Sequence, residues 1–554
     1  MIELNIKLLC KKTYKSLLAL MIMFSIFPQF TETVVAEETT IPVEQFATVE
    51  ELKTFNTNDG DGEIKAAKVY FGNNNQQWLI AGSQKEQGLT LFAASPLVND
   101  VVFNQDTNEK TYNDQQVYSN HYGASDIRNT LKGLETSYFT NKEQGLMNDT
   151  TIYTNDRKNN SVYSTTDKLY LAYGIYKDKE YITVGTNDQN SLNNGLHIDK
   201  NYWRKWVWLR APSEENRKNA LAINDGIVNG FSASGVNDLV PAFELNLSSV
   251  IFGSVVPAAT SGGALSTNEA FTLRYKSDDL GLALYNDDKS KVTLSGVQPG
   301  TFLVVQNSSR AKAKQITNET TVSASDMGVD TFANCKIWLE KTTEDRVTYA
   351  TLAQDAPEDK VAIVDTTFYS NLEEAINASS PENPAIMLKD VTETSNGYSI
   401  KKDNAVLETN GFTLEFNAKW SIIGINFNQT FTIKGSGDKD KPDLVIGQLW
   451  VNSGNEEVDK NKGLFLYDVY LKNSHEWYDT LLFSPCHLYI ENCKIDTVPK
   501  YGENKKKQNA IYIRNNGGEG VAEFYGENIL VGDIKVGVDA TETVYGSLKF
   551  IGKH

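Results

Sequence analysis

The sequence predicts a multidomain, mainly β chain, and three observations lead there. At 554 residues the chain is longer than one hydrophobic core can organise, which points to three or four folded units. It carries 26 Tyr, 24 Phe and 8 Trp against 13 Pro, the composition of packed β structure rather than disorder. Short apolar runs broken by Gly, Asn and Asp recur along its length, the pattern of strands joined by turns. The order expected is an α+β unit, a β-sandwich and a stack of repeated strands.

Residues 1–36 stand outside that fold. Lys7, Lys11, Lys12 and Lys15 flank an apolar run from Leu17 to Phe27, and Val34-Val35-Ala36 supplies a cleavage site. This is the pattern of a secretory signal peptide, with an apolar run too short to span a bilayer comfortably. The expected location is secreted or cell-surface, with no intrinsic membrane span once the leader is removed. Beyond residue 36, 49 basic residues face 69 acidic ones, a net charge of −20. Such a field repels phosphate backbones and anionic lipid, so nucleic acid is not an expected partner.

Three cysteines remain after that cut, Cys335, Cys486 and Cys493, with no C-x-x-C spacing. The histidines at 121, 197, 475, 487 and 554 are scattered. Neither a disulfide framework nor a metal site is expected. The segment 37–61 lacks periodicity and reads as a solvated linker. Asp59, Asp61 and Glu63 place oxygen donors at alternate positions, which suits calcium, but the glycine and distal glutamate of a helix-loop-helix calcium loop do not follow. No cofactor is expected.

The α+β unit covers 62–255. KVYFGNNNQQWLIAG and LTLFAASPL read as paired strands, Ser125 as the cap of a helix over Ile127–Leu134, and Thr140 with Glu143 as a capping box. Near its end runs KWVWLRAPS, Lys205 to Ser213. On a strand, Trp206, Trp208 and Arg210 share one face, and Val207 and Leu209 the other. Both faces are heavy, which suits a strand buried on both sides. Trp208 is expected in the core, Arg210 on backbone carbonyls or a carboxylate, and Trp206 at the surface as the candidate ligand-binding residue; Pro212 closes the motif.

Four pieces in order carry a resemblance: Gln77-Trp78, Ser125-Asp126-Ile127-Arg128, Phe139-Thr140-Asn141-Lys142-Glu143 and Trp208-Leu209-Arg210-Ala211-Pro212. Together with the close LVPAFELNLSSVIFGS they resemble the bacterial surface domain-of-unknown-function family number 6273, whose pattern is near W-W-L-R-S-P-G and then V-R-P-A. The resemblance covers about a third of the chain and implies a lectin-like fold, but no activity. Val207 stands where the family has its first tryptophan, Trp206 is extra, and Val240 stands where the family has arginine. If that arginine serves a family ligand site, the site is altered here.

Residues 262–355 contain seven short strand-like runs at regular spacing, the signature of an Ig-like β-sandwich, and read as a spacer. Cys335 is expected on a strand as a small core residue.

From 360 the chain opens with VAIVD, a helix-like LEEAINA and AIMLKDV, then many short strands. LFLYDVYLK from Leu464, LYIENCKID from Leu488 and FYGENILVG from Phe524 align at offsets of 24 and 36. This alignment sets Val469, Cys493 and Ile529, and likewise Leu471, Ile495 and Val531, in inward columns. It sets Asp468, Asn492 and Asn528 at a turn, and Glu491 and Glu527 beside Tyr467. Cys493 is expected as a buried thiol. The repeat resembles the right-handed parallel β-helix of the pectate-lyase-like superfamily over 360–554, and the closing KFIGKH falls within a repeat, as in a truncated stack.

No H-E-x-x-H, phosphate-binding loop or G-x-S-x-G elbow occurs. The expected function is non-catalytic adhesion, or binding of glycans or of host or bacterial surface proteins. The alternative is a polysaccharide lyase or glycoside hydrolase using Glu491, Glu527 and Asp468. A third reading is a passive surface stalk.

Overall fold

The computed structural model describes residues 41–56, 67–176, 181–199, 205–418, 421–426, 429–452, 462–474, 480–483, 487–497, 509–514, 521–537 and 547–551. The expected leader, Asp59, Asp61, Glu63 and Cys486 lie outside them. The chain is mainly β, with many sheets. No described helix is long and apolar enough to cross a membrane.

The segment expected as a linker is built into the fold. Phe46–Thr48 is a strand, and Val49–Thr54 a helix started by a capping box in which the Thr48 side chain accepts from the Glu51 N–H. Leu52 on that helix is fully buried. The strand pairs antiparallel with Val250–Ser254. Local composition disguises this, because three strand residues show no period on their own.

Two five-stranded sheets organise the first unit. One runs in the order Tyr170–Leu171, Pro241–Asn246, Gly88–Ala93, Gln77–Gly82, Lys68–Tyr70. The other holds Ile227–Ser232, Asn219–Asn224, Val207–Pro212, Val236–Leu239 and Val98–Val102. They share a core containing Trp78, Phe92, Phe103, Trp208 and Phe243. The expected helix caps are present: Ser125 accepts from the Arg128 N–H at the head of Asp126–Ser137, and Thr140 and Glu143 form the capping box of Asn141–Gly145.

Val250–Ser254 is also a strand of the next sheet. It pairs antiparallel with Thr272–Lys276 and joins an eight-stranded sheet that continues through Thr348–Leu352, Lys336–Thr342 and Phe302–Gln306. A four-stranded sheet with Lys291–Ser295 at its centre completes this second unit around Leu303, Ile337 and Leu339. The boundary expected near residues 255–262 therefore falls inside one sheet. A hairpin tip of this unit also grips the first: Arg346 donates from Nη2 and Nε to the Glu143 carboxylate at 2.6 and 3.2 Å. Cys335 precedes its strand and is half-buried, its thiol 3.7 Å from the Thr331 carbonyl, instead of lying on a strand in the core.

After an antiparallel start at Ala362–Val364, Thr367–Tyr369 and Ala385–Met387, the last unit consists of three parallel ladders that the chain visits in turn. One complete circuit runs Phe431–Lys434, Leu444–Ile446, Gln448–Asn452, and the next begins at Gly463–Tyr467. Inward residues form continuous columns, Leu407–Ile433–Leu466–Ile490–Phe524 in the first ladder and Leu414–Leu444–Leu471–Ile495–Leu530 in the second. Each side chain packs on its equivalent one circuit away, so the core repeats along the stack. The helix Leu372–Ala378 buries Leu372, Ala375 and Ile376 against this core.

The third copy of the repeat sits differently from the alignment. Leu488 pairs with Ala522, not Phe524, so the strand offset is 34 residues. The identical Glu-Asn pairs at 491–492 and 527–528 draw the sequences together by two residues too many. The turn after Tyr525 is also longer, so Lys494 pairs with Ile529 and Ile495 with Leu530. Ile529 and Val531 are consequently 42% and 44% exposed, and Leu530 takes the inward column. Cys493 is fully buried as expected, and burial pushes its thiol pKa up to about 12. Alkylation of the native protein at neutral pH is expected to leave Cys493 unmodified, since the nucleophile is the thiolate; peptide mass mapping that finds it labelled would refute this.

Candidate functional site

The first ladder alternates inward apolar residues with outward ones, and on three successive circuits the outward positions read Phe465 and Tyr467, His487, Tyr489 and Glu491, Glu523 and Tyr525. All seven are half-buried. Parallel in-register pairing sets equivalent positions about 4.7–4.9 Å apart, which brings rings on neighbouring circuits into contact. Tyr489 stacks on Tyr525 at 4.8 Å and on Phe465 at 5.9 Å, and lies tilted 5.2 Å from Tyr467. His487 meets the Phe465 edge at 5.1 Å.

Polar atoms thread this aromatic patch. The Tyr489 hydroxyl donates to Glu491 Oε2 at 2.7 Å, and the Tyr525 hydroxyl to Glu523 Oε2 at 3.4 Å. His487 Nε2 lies 3.2 Å from the same Glu523 oxygen. Burial, then the hydrogen bond to Glu491, holds the Tyr489 phenol above its ordinary pKa, so it remains a donor at neutral pH. Because the rings stack, their faces are largely spent on one another. The surface offers a row of hydroxyl and carboxylate groups on a rigid aromatic base, with Lys434 next to Tyr467 in the ladder.

Of the residues singled out in the sequence, Glu491 belongs to this row. Glu527 does not: it lies at the exposed turn, its N–H bonded to Asn492 Oδ1 at 3.0 Å, and Tyr525 is the ladder partner of Glu491. Asp468 is exposed at φ +56°, and its backbone bonds the Glu491 carbonyl and the Gly437 N–H. It shapes the turn, as do Asn492 at φ +53° and Gly526 at φ +68°, where the Asn492 side chain leaves no room for a Cβ. Glu523, Tyr489, Tyr525 and His487 escape the sequence reading. The signal for them is the alternation F-x-Y, H-x-Y-x-E, E-x-Y, visible once the inward columns fix the register.

The tryptophan motif divides. Val207–Pro212 is buried throughout. Trp208 is fully buried, donates from Nε1 to the Val101 carbonyl at 2.6 Å, and meets the edges of Phe103 and Phe231. The register slips between Trp208 and Pro212, so strict alternation fails there. Arg210, fully buried, donates from Nη1 to the Leu171 carbonyl at 2.5 Å and lies 5.3 Å over the Tyr173 ring. Its Nε and Nη2 have no hydrogen-bond partner among the described residues. Trp206 is half-buried and tilted against Phe231 at 5.5 Å, leaving part of one face open.

No group of three or more metal-ligating side chains occurs among the described residues. Comparison with family models, with curated proteins and with solved structures finds no match to this chain.

Proposed function

We propose that the chain is an exported, surface-associated binding protein that recognises polyhydroxylated ligands, glycans above all, without turning them over. The observation that carries this reading is the outward row of Tyr467, Tyr489, Tyr525, Glu491 and Glu523. Neutral phenols donate and accept, and carboxylates accept two donors each, so a preorganised row of both suits a chain of sugar hydroxyls. The leader at residues 1–36 supports export. The cyclic visiting of three parallel ladders supports the parallel β-helix reading of the last unit, and the ordered motif from Gln77 to Pro212 supports the lectin-like reading of the first.

Screening on a glycan array followed by titration of the best oligosaccharide tests this. Tyr489→Ala and Tyr525→Ala are each expected to weaken binding about tenfold, the order of one or two lost contacts at ~1.4 kcal/mol, in a protein that still folds but melts a few degrees lower through the lost ring contacts. Failure of a folded protein to bind any glycan above background would leave the stalk reading.

One observation favours a second reading. Glu491 and Glu523 sit on adjacent circuits of the same face, two residues apart in register, and glycoside hydrolysis uses a pair of carboxylates flanking the scissile bond. Reducing-sugar release abolished by Glu491→Gln or Glu523→Gln would establish it, and activity unaffected by both would reject it.

A further inference from the structure

Far along the chain from the ladder, the first unit holds a polar cleft of about 500 Å³ between strand Thr150–Asp156 and the loop GTNDQNSLNNG that follows Tyr181–Val184. Its wall carries Gln84, Tyr153, Asp188, Gln189, Asn190 and Asn194.

The loop is held from behind. Asn187, 6% exposed, imitates a strand partner: its Oδ1 accepts the Tyr153 N–H at 2.7 Å, and its Nδ2 donates to the Tyr153 and Leu192 carbonyls at 2.8 and 3.0 Å. Thr186 donates to Gln84 Oε1 at 2.5 Å. Asp188 and Ser191 exchange backbone hydrogen bonds, and Asp188 Oδ1 accepts from the Asn190 N–H at 2.7 Å. These bonds use backbone groups, Thr186 and Asn187 behind the loop, and one oxygen each of the wall residues Gln84 and Asp188. The amides of Gln189, Asn190 and Asn194 and the Tyr153 hydroxyl make no side-chain hydrogen bond among the described residues.

We infer that this cleft is a binding site for a single neutral sugar unit. A primary amide places a donor pair beside an acceptor, which matches adjacent hydroxyls on a pyranose ring, each needing both. Exposed amides beside the Tyr153 hydroxyl supply those groups on one almost wholly polar surface. Among the described residues, one carboxylate and no cationic side chain line the cleft. An anion has no counter-charge there, and a calcium ion would rely on a single carboxylate. The site is separate from the tyrosine row and does not depend on it.

Saturation-transfer NMR on the protein with methyl glycosides of glucose, galactose, mannose and N-acetylglucosamine tests the assignment. At least one is expected to bind in the millimolar range, as one small rigid site affords. Asn190→Ala with Asn194→Ala is expected to abolish that signal with melting temperature unchanged, whereas Tyr489→Ala leaves it intact. Absence of binding for all four in the folded protein overturns the inference. So does a signal that survives the double variant, one lost with Tyr489→Ala, or one that appears only with added calcium and vanishes with chelator. Gln189→Ala, also clear of the rear bonds, gives a second variant should the double one fail to fold, and must weaken binding at least threefold.

Discussion

Alanine at position 208 is expected to lower the melting temperature by on the order of 10 °C, the consequence of ~3–5 kcal/mol lost when a buried tryptophan is truncated. Trp208 is fully buried against Phe103 and Phe231, and its indole N–H satisfies the Val101 carbonyl on the neighbouring part of the sheet. Truncation opens a cavity and orphans that carbonyl together. Trp206→Ala is expected to stay within about 1 kcal/mol of the parent, since the ring is already half open to water. Thermal melts of the two variants side by side check both. Parent-like stability of Trp208→Ala, with ligand binding lost, would make the motif a binding site and not a core strand.

Glu340→Ala is expected to be as damaging or more so. Glu340 and Arg274 are both fully buried, with Arg274 Nε donating to Glu340 Oε2 at 3.0 Å. The same oxygen accepts from Trp338 Nε1 at 2.5 Å, and Oε1 accepts from the Ala259 N–H at 2.6 Å. Removing the carboxylate takes the acceptor from Arg274 Nε, an indole N–H and a backbone N–H, and leaves the buried guanidinium charge held only by the carbonyls of Ser254, Thr272 and Pro257, at a cost of ~3–5 kcal/mol. Denaturant titration measures this, with Glu340→Gln expected in between because an amide oxygen still accepts. A double variant, Arg274→Met with Glu340→Leu, is expected to recover much of the loss, since the penalty lies in the orphaned charge and not in a missing attraction. A Glu340→Ala protein as stable as the parent would mean that water reaches Arg274.

Much of the architecture was legible in the sequence because it rests on short-range periodicity. The mainly β character, the two helix caps at Ser125 and Thr140, the buried Trp208 and the inward Cys493 all follow from local pattern. What escaped depends on pairing between distant segments. Phe46–Thr48 becomes a strand only because Val250–Ser254 offers it an edge. The Arg274–Glu340 pair joins two strands that no motif connects. In the last unit, identity between two Glu-Asn pairs outweighed the backbone geometry of the turns, which keeps Asp468, Asn492 and Gly526 in left-handed conformations. A slip of two residues preserved the inward face of the strand but paired Glu491 with Glu527 in place of Tyr525, and so hid the row of tyrosines.

The strand Val250–Ser254 has a thermodynamic consequence. It is covered on one side by Phe46–Thr48 and on the other by Thr272–Lys276, while its neighbours in sequence close the first unit's core. Neither of the first two units can open without breaking hydrogen bonds that the other needs. Their free energies of unfolding are therefore shared, and the pair is expected to behave as one cooperative block. In calorimetry, residues 42–355 are expected to give a single endotherm whose van't Hoff and calorimetric enthalpies agree, and a fragment starting at residue 62 to melt early across both units at once. Two resolved transitions in that region would show that the common strand joins the units in space but not in stability.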